Sequence, residues 1–477
     1  MTEDFKTLYR ELGYAGPLDE SIPRGPQPNE LPPLDQPGLG RLEERMREQP
    51  EVFFDSFRQH YQYPFTDEKI RDILAELRKA FDHPAAYVKK LRSKRATRMR
   101  GKKEFPVQLI LYPDIDVDPA NHQFEPLGDA LGWVVNSGYY FIRDPLGITY
   151  PKAKFRWHHE FPSRFKYEMK DRQGRPVAPE QKLSIALFGD FGTGAYHSLY
   201  IAGNIAARRP DYAIHLGDVY YSGRFFEFEN FFSKPLAPVI KDSHFFALNA
   251  NHEMLSGAIP YFDAIDERRQ PKPGWVAQEQ EGSYCCIWSK KYQIIGIDTA
   301  YEGDGRHSRP EVNAWLRECL EAGKSASPPR INILLSQNEP YGLGENQFSQ
   351  LYNDLNEIIQ KNLIDFWFWG NVHYCALFDK SSRAPFIGSC IGHAGHPIYK
   401  KYVEKNERMH RQQVRRGSEI PAASWVDLSP KFPADTGLRK DLANHGFCVL
   451  ELERDAMKLI YYDWLKNEAQ HERTFAI

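Results

Sequence analysis

Apolar residues follow two different rhythms along this chain. Between residues 40 and 95, the stretches LEERMREQPEVFFDSF and DEKIRDILAELRKAF place them three and four positions apart among charges. That spacing lines one face of an α-helix and predicts two or three amphipathic helices. From residue 181 onward the apolar residues come in compact runs: LSIALF (183–188), YAIHL (212–216), HFFAL (244–248), YQIIGI (292–297), INILLS (331–336) and DFWFW (365–369). Short runs rich in β-branched and aromatic residues, without polar alternation, suit strands buried on both faces. Helical stretches such as HSLYIAGNIAARR and VNAWLRECLEAG lie between them, and HGFCVLEL and MKLIYYDW add two later strand candidates. Strand and helix in alternation predict an α/β fold.

The remaining segments differ in character. Residues 15–40 carry Pro17, Pro23, Pro26, Pro28, Pro32, Pro33 and Pro37. Proline lacks the amide donor and fixes its own φ, so this stretch is an extended arm or linker rather than a long helix. The runs VQLILY, LGWVVNSGYYFI and FRWHHEF, between residues 105 and 180, are bounded by turn-forming residues and predict short strands and hairpins. At 477 residues the chain is long for one core. The expected organisation is a Pro-rich arm (1–40), an accessory helical and β-rich region (41–180) and an α/β domain (181–477).

Composition narrows the function classes. With 41% hydrophobic and 26% charged residues the chain has enough apolar material to fold. A net charge of −2 gives no global attraction to nucleic acid or anionic membrane. The stretch 89–103 is the exception, with nine Lys or Arg and no acid. A solvated helix end, or a surface that pairs with the acidic remainder, outweighs RNA or phosphate contact there, so no nucleic-acid partner is expected. The opening MTEDFKTLYRELGY has no basic segment followed by an apolar one, and no 18-residue apolar stretch follows. A cytoplasmic protein without a membrane partner is the expectation. The six cysteines include an adjacent pair and no CxxC, which favours buried free thiols over disulfides or a zinc ribbon.

The informative polar residues fall just after the apolar runs, at the carboxyl edge where open α/β sheets bind ligands. The first run leads into GDFGTG with Asp190, the second into GDVYY with Asp218, Tyr220 and Tyr221, the third into NANHE with Asn251, His252 and Glu253, and DFWFW into GNVHY with Asn371 and His373. Singly these are weak signals, because isolated histidines and GD pairs are usually structural. In this order, at successive strand ends, the series GDxG, GDxxY, NH(E), GxxH resembles the calcineurin-like metallophosphoesterase superfamily. The glycine after Asp190 and the GDxxY spelling are similar to its purple acid phosphatase branch. The resemblance covers about residues 181–400 and the two late strands; residues 1–180 resemble nothing familiar.

The resemblance implies a four-layered α/β/β/α sandwich and two metals. Asp190, Tyr221 and His373 would hold the first, and Asp218 would bridge to the second. Two carboxylates, a phenolate and an imidazole are hard donors suited to Fe(III). Tyr220, by strand alternation, should point away from the metal. The second metal would take Asn251, but Gln337 and Asn371 stand where two histidines are expected, and amide oxygens disfavour zinc. Three readings stay open: an all-oxygen second site for Mg, Mn or Ca, a protein with one metal only, or a chain whose histidines were exchanged. With both metals, an activated water would hydrolyse a small phosphate ester, His252 would protonate the leaving oxygen, and Glu253 is more readily structural than a partner of His252. With one metal, a mononuclear-iron redox enzyme or a non-catalytic derivative becomes the alternative. Of the other histidines, His215 is expected in the core, and His158 and His159 in structural roles. His393 and His396, in CIGHAGHP, are equally weighted between substrate contact and structure.

Overall fold

The computed structural model describes residues 34, 36–59, 66–90, 134–138, 152–161, 165–178, 180–265, 279–302, 307–431 and 441–477. Each apolar run after residue 181 forms a strand. One six-stranded sheet has the order β14 (Ala469–Ala476), β13 (Ala456–Asp463), β12 (Gly446–Leu452), β2 (Leu183–Phe188), β3 (Tyr212–His215) and β4 (His244–Ala247). An eight-stranded sheet runs β1 (Lys166–Glu168), β5 (Cys285–Trp288), β6 (Tyr292–Gly296), β7 (Ile331–Ser336), β8 (Phe366–Trp369), β10 (Ile387–Ile391), β9 (Cys375–Phe378) and β11 (Ala423–Val426).

Alternation within each strand decides the layering. Leu183, Ile185 and Leu187 of β2 share a core with Ile333 and Leu335 of β7 and Phe366 and Phe368 of β8, which lies between the two sheets. Their neighbours Ala186, Phe188, Leu334, Trp367 and Trp369 belong to a second core, together with Ile201, Ile205, Val312, Trp315 and Leu316 from covering helices. Both faces of each sheet are therefore apolar, which is why these strands read as unbroken hydrophobic runs. The covering helices include Tyr196–Arg208, after β2, and Pro310–Lys324, after β6. The result is the expected helix, sheet, sheet, helix sandwich. Burying each such Leu, Ile or Phe side chain contributes about 1.5–3 kcal/mol.

The strands β2, β3 and β4 are mutually parallel, as are β6, β7 and β8. Parallel pairing brings the carboxyl ends of one sheet to a single edge, so Asp190, Asp218 and Asn251 follow neighbouring strands, as do Gln337 and Asn371. All six cysteines are buried free thiols.

The N-terminal amphipathic stretches are helices as expected, α1 (Gln36–Glu48), α2 (Pro50–Gln59) and α3 (Asp67–Asp82), but α1 begins inside the stretch expected to be an extended arm, because Pro37 falls in its first turn, where the missing amide donor is not needed. The start of α3 is set by Thr66, whose side chain accepts from the Lys69 amide at 3.2 Å, with Asp67 and Glu68 in the first turn. Leu39, Leu42, Phe53, Phe54, Ile73 and Leu77 form a separate cluster that also takes in Val134, Val135, Tyr220 and Tyr221. This cluster therefore reaches the loop after β3. Ser137 Oγ donates to the Tyr221 carbonyl at 2.9 Å, and the buried Arg224 bonds both Asn136 Oδ1 at 2.7 Å and Glu227 at 2.9 Å.

Two expected β segments are corrected. Within LGWVVNSGYYFI the described part, Val134–Gly138, is a helical turn, and FRWHHEF is irregular with a turn at 158–160. A short apolar run records burial but not backbone period. Val134 and Val135 are buried in the cluster formed with the N-terminal helices. The run VQLILY, the Pro-rich arm before residue 34 and most of the basic stretch lie outside the described residues. Among the described residues no helix is long and apolar enough to cross a membrane.

Candidate metal centre

Four chemistry-bearing residues adopt left-handed backbone where their strands end: Asp190 (φ 60°), Asp218 (φ 78°), Asn371 (φ 67°) and His373 (φ 55°). Asp, Asn and His tolerate this region better than other non-glycine residues, at a cost of about 1–3 kcal/mol each, and such strain gathers at functional sites. The turn throws each side chain off the sheet plane and towards the others. Room for this comes from glycine. A Cβ at Gly392 would lie 2.8 Å from Asp190 Oδ2.

Ligand atoms of Asp190, Asp218 and His373 converge to within 4.8 Å of one another. Asp190 Oδ2 accepts from the Asn371 amide at 2.8 Å, and Asp190 Oδ1 lies 3.3 Å from His373 Nε2. Both carboxylates are fully buried, and among the described residues His373 is the only basic side chain paired with Asp190. Burial pushes the Asp190 carboxyl up to about 7, and burial together with the neighbouring Asp190 pushes Asp218 upward as well. Burial also lowers His373 to about 4, so its imidazole is neutral and holds a lone pair. Two under-compensated carboxylates facing a neutral imidazole are what a cation would stabilise, so the residues fit a metal ion.

The tyrosine of this centre is Tyr220, which corrects the expectation for both residues of the YY pair. The Tyr220 hydroxyl lies 2.8 Å from Asp190 Oδ1, 3.0 Å from Asp218 Oδ2 and 2.9 Å from His373 Nε2. Tyr221 instead presents its carbonyl to His252 Nδ1 at 2.6 Å, and its side chain joins the N-terminal cluster. Strand alternation failed here because the loop is not a strand: Gly217 (φ 104°) and Asp218 turn the chain out of the extended form.

Beside this group lies a second one made of amides. Gln337 Nε2 is 3.0 Å from Asn251 Oδ1, 3.1 Å from Asn371 Oδ1 and 3.3 Å from Asp218 Oδ2. Asn371 Nδ2 donates to Glu339 Oε2 at 2.7 Å. Glu339 was not among the sequence candidates; its only signal was an acid closely following a strand end in SQNE.

The histidines divide clearly. The His252 amide reaches Asp218 Oδ1 at 3.4 Å, and its ring packs on Tyr220 with centroids 4.2 Å apart. His396 stacks on His373 at 4.0 Å. Burial lowers both His252 and His396. His215 packs in the core against Phe188 and Phe232, His393 is buried, and His158 bonds the Tyr284 hydroxyl. Glu253 Oε2 accepts from the Val219 amide at 3.2 Å, so it ties down the loop and leaves His252 to the Tyr221 carbonyl.

Residues 183–375 match the family model of the calcineurin-like phosphoesterases. No curated protein sequence matches the chain. Among solved structures, a purple acid phosphatase from yellow lupin seeds aligns at 15% identity and a TM-score of 0.44, over 64% of this chain and 55% of that one. GAP50, described as the anchor in the inner membrane complex of Plasmodium, aligns at 13% identity and a TM-score of 0.46, over 62% of this chain and 89% of that one. The chain thus spans little more than half the length of the lupin phosphatase. The family match is confined to residues 183–375, and the two sheets with their covering helices have the metallophosphoesterase fold.

Proposed function

We propose that this protein hydrolyses small phosphate esters with a metal ion held by Asp190, Asp218, His373 and Tyr220. The carrying observation is the convergence of two buried carboxylates and a neutral imidazole on one point. Bound there, the ion would acidify a water molecule and polarise a phosphoryl oxygen. Two carboxylates, a phenol and an imidazole are hard donors, which supports iron in this position.

The chain's own residues then have definite tasks. The Asn371 amide holds Asp190 Oδ2, which fixes the carboxylate plane. The Tyr220 hydroxyl contacts Asp190, Asp218 and His373 together and so ties the three side chains to one another. Donation from His252 Nδ1 to the Tyr221 carbonyl sets the ring's orientation and leaves Nε2 as the nitrogen that exchanges a proton with the departing oxygen. Stacking of His396 on His373 fixes the ligand ring from behind.

Elemental analysis of protein purified without chelator, paired with an aryl phosphate assay, tests this reading. Bound metal and turnover that both vanish in Asp218→Ala are expected. Full turnover by metal-free protein would overturn it.

A further inference from the structure

We infer that Asn136 and Ser137, which precede the α/β domain, are positioning residues of the phosphoesterase centre: together with the buried Arg224–Glu227 pair they fix the Tyr221 carbonyl that aims His252 at the departing oxygen. This rests on the hydrolytic reading above.

The loop after β3 carries two tyrosines with divided tasks. Tyr220 puts its hydroxyl among Asp190, Asp218 and His373. Tyr221 turns its side chain into the cluster of Leu39, Leu42, Phe53, Phe54, Val134 and Val135, and leaves its backbone at the site. A carbonyl oxygen has two lone pairs. At Tyr221 one receives His252 Nδ1 at 2.6 Å and the other Ser137 Oγ at 2.9 Å. Ser137 thereby restricts the imidazole to the remaining direction and holds the peptide at one tilt.

The amide side of the same stretch is held as well. Glu227 Oε1 accepts from the Tyr221 amide at 2.6 Å, and Oε2 accepts from the Ser222 and Arg224 amides at 3.0 and 2.9 Å. Arg224 Nη2 joins the two segments, 2.9 Å from Glu227 Oε1 and 2.7 Å from Asn136 Oδ1, and Ser222 Oγ donates to the Asn136 carbonyl. Asn136, Ser137, Ser222, Arg224 and Glu227 are all buried.

Stability alone does not account for this arrangement. Burying an arginine and a glutamate costs desolvation that their attraction roughly offsets, and apolar residues of similar volume often hold a fold equally well. Apolar side chains cannot grip backbone amides, however, and the amides that Glu227 grips belong to the loop that carries both tyrosines. The other end of the network lies 84–88 residues earlier in the chain and outside residues 183–375, which match the family model. Residues 134–138 therefore complete the centre from outside the matched segment.

The test uses full-length protein purified without chelator and two substrates. One is nitrophenyl phosphate, whose departing oxygen is a weak base. The other is an alkyl phosphate, whose departing oxygen is a strong base and needs most help as its bond to phosphorus breaks. Ser137→Ala should raise the ratio of nitrophenyl to alkyl kcat/KM at least about tenfold, since small displacements of a reacting group are costly. Asn136→Ala should shift the ratio in the same direction from the other end of the turn. A ratio measured within one preparation does not depend on the fraction of folded protein. In a His252→Ala background, itself shifted the same way, Ser137→Ala should change the ratio no further. Equal slowing of both esters by Ser137→Ala and Asn136→Ala, or a further shift in the absence of His252, would overturn the inference and leave the network as packing. Absence of turnover with either ester in the wild type would instead sink the hydrolytic reading, and the inference with it.

Discussion

The two halves of the site stand on equivalent ground and differ in chemistry. Both are assembled at the carboxyl ends of parallel strands, and both gather three oxygen or nitrogen atoms around a hydrogen-bonding group, Tyr220 Oη in one and Gln337 Nε2 in the other. One half carries two buried carboxylates and an imidazole, a set that fits a cation. The other shares only Asp218 and is otherwise built of neutral amides, which satisfy one another in large part. The same scaffold thus places a charged group and a largely neutral one side by side, and the number of formal charges separates them.

The largest effect that would test this contrast is loss of the shared carboxylate. Asp218→Ala is expected to remove bound metal and lower aryl phosphate turnover by more than about 100-fold, beyond the 10–100-fold that a supporting residue usually costs. Next is the tyrosine. Tyr220→Phe should weaken metal binding by about 10–100-fold, measured by competition with a chromophoric chelator, whereas Tyr221→Phe should leave it unchanged. The reverse pattern would move the phenol to the other residue, and if iron is bound its visible colour should follow Tyr220. On the amide side, Asn371→Ala keeps the backbone amide that holds Asp190, so metal binding at Asp190, Asp218 and His373 should remain within about threefold by the same chelator competition.

The smallest effect at neutral pH belongs to His215, in the core at the end of β3. Its ring is enclosed by Phe188, Phe191 and Phe232, and burial lowers it to about 3 from an ordinary 6.5. The unfolded chain takes a proton at this residue below pH 6.5 and the folded chain does not, so its contribution to stability is lost as pH falls from 6.5 towards 3. His215→Leu should therefore unfold less steeply with acid, by up to about 1.4 kcal/mol for each pH unit in that window. Parallel denaturant titrations at pH 7 and pH 4.5 would read the difference, and equal acid sensitivity in both proteins would show that His215 is charged in the fold.

The strands, their order of appearance and the placing of Asp190, Asp218, Asn251 and His373 at strand ends were legible because burial on both faces leaves an unmistakable apolar run, and the polar residue that ends it marks the sheet edge. The choice between Tyr220 and Tyr221 was not, because it depends on the left-handed turn at Gly217 and Asp218, and two adjacent tyrosines carry no signal of that turn. Nor was the packing of Val134–Gly138 over the Tyr221 loop, where a run that resembled a strand serves as a helical turn.

By itself, then, the sequence determined the layered α/β sandwich and the identities of the groups available at its edge, since both follow from local patterns of burial and polarity. Only the tertiary structure decided which tyrosine enters the centre, that Glu339 turns Asn371, and that Gln337 meets three oxygens from three other loops. These depend on the relative placement of two sheets, and no interval along the chain encodes a distance across them.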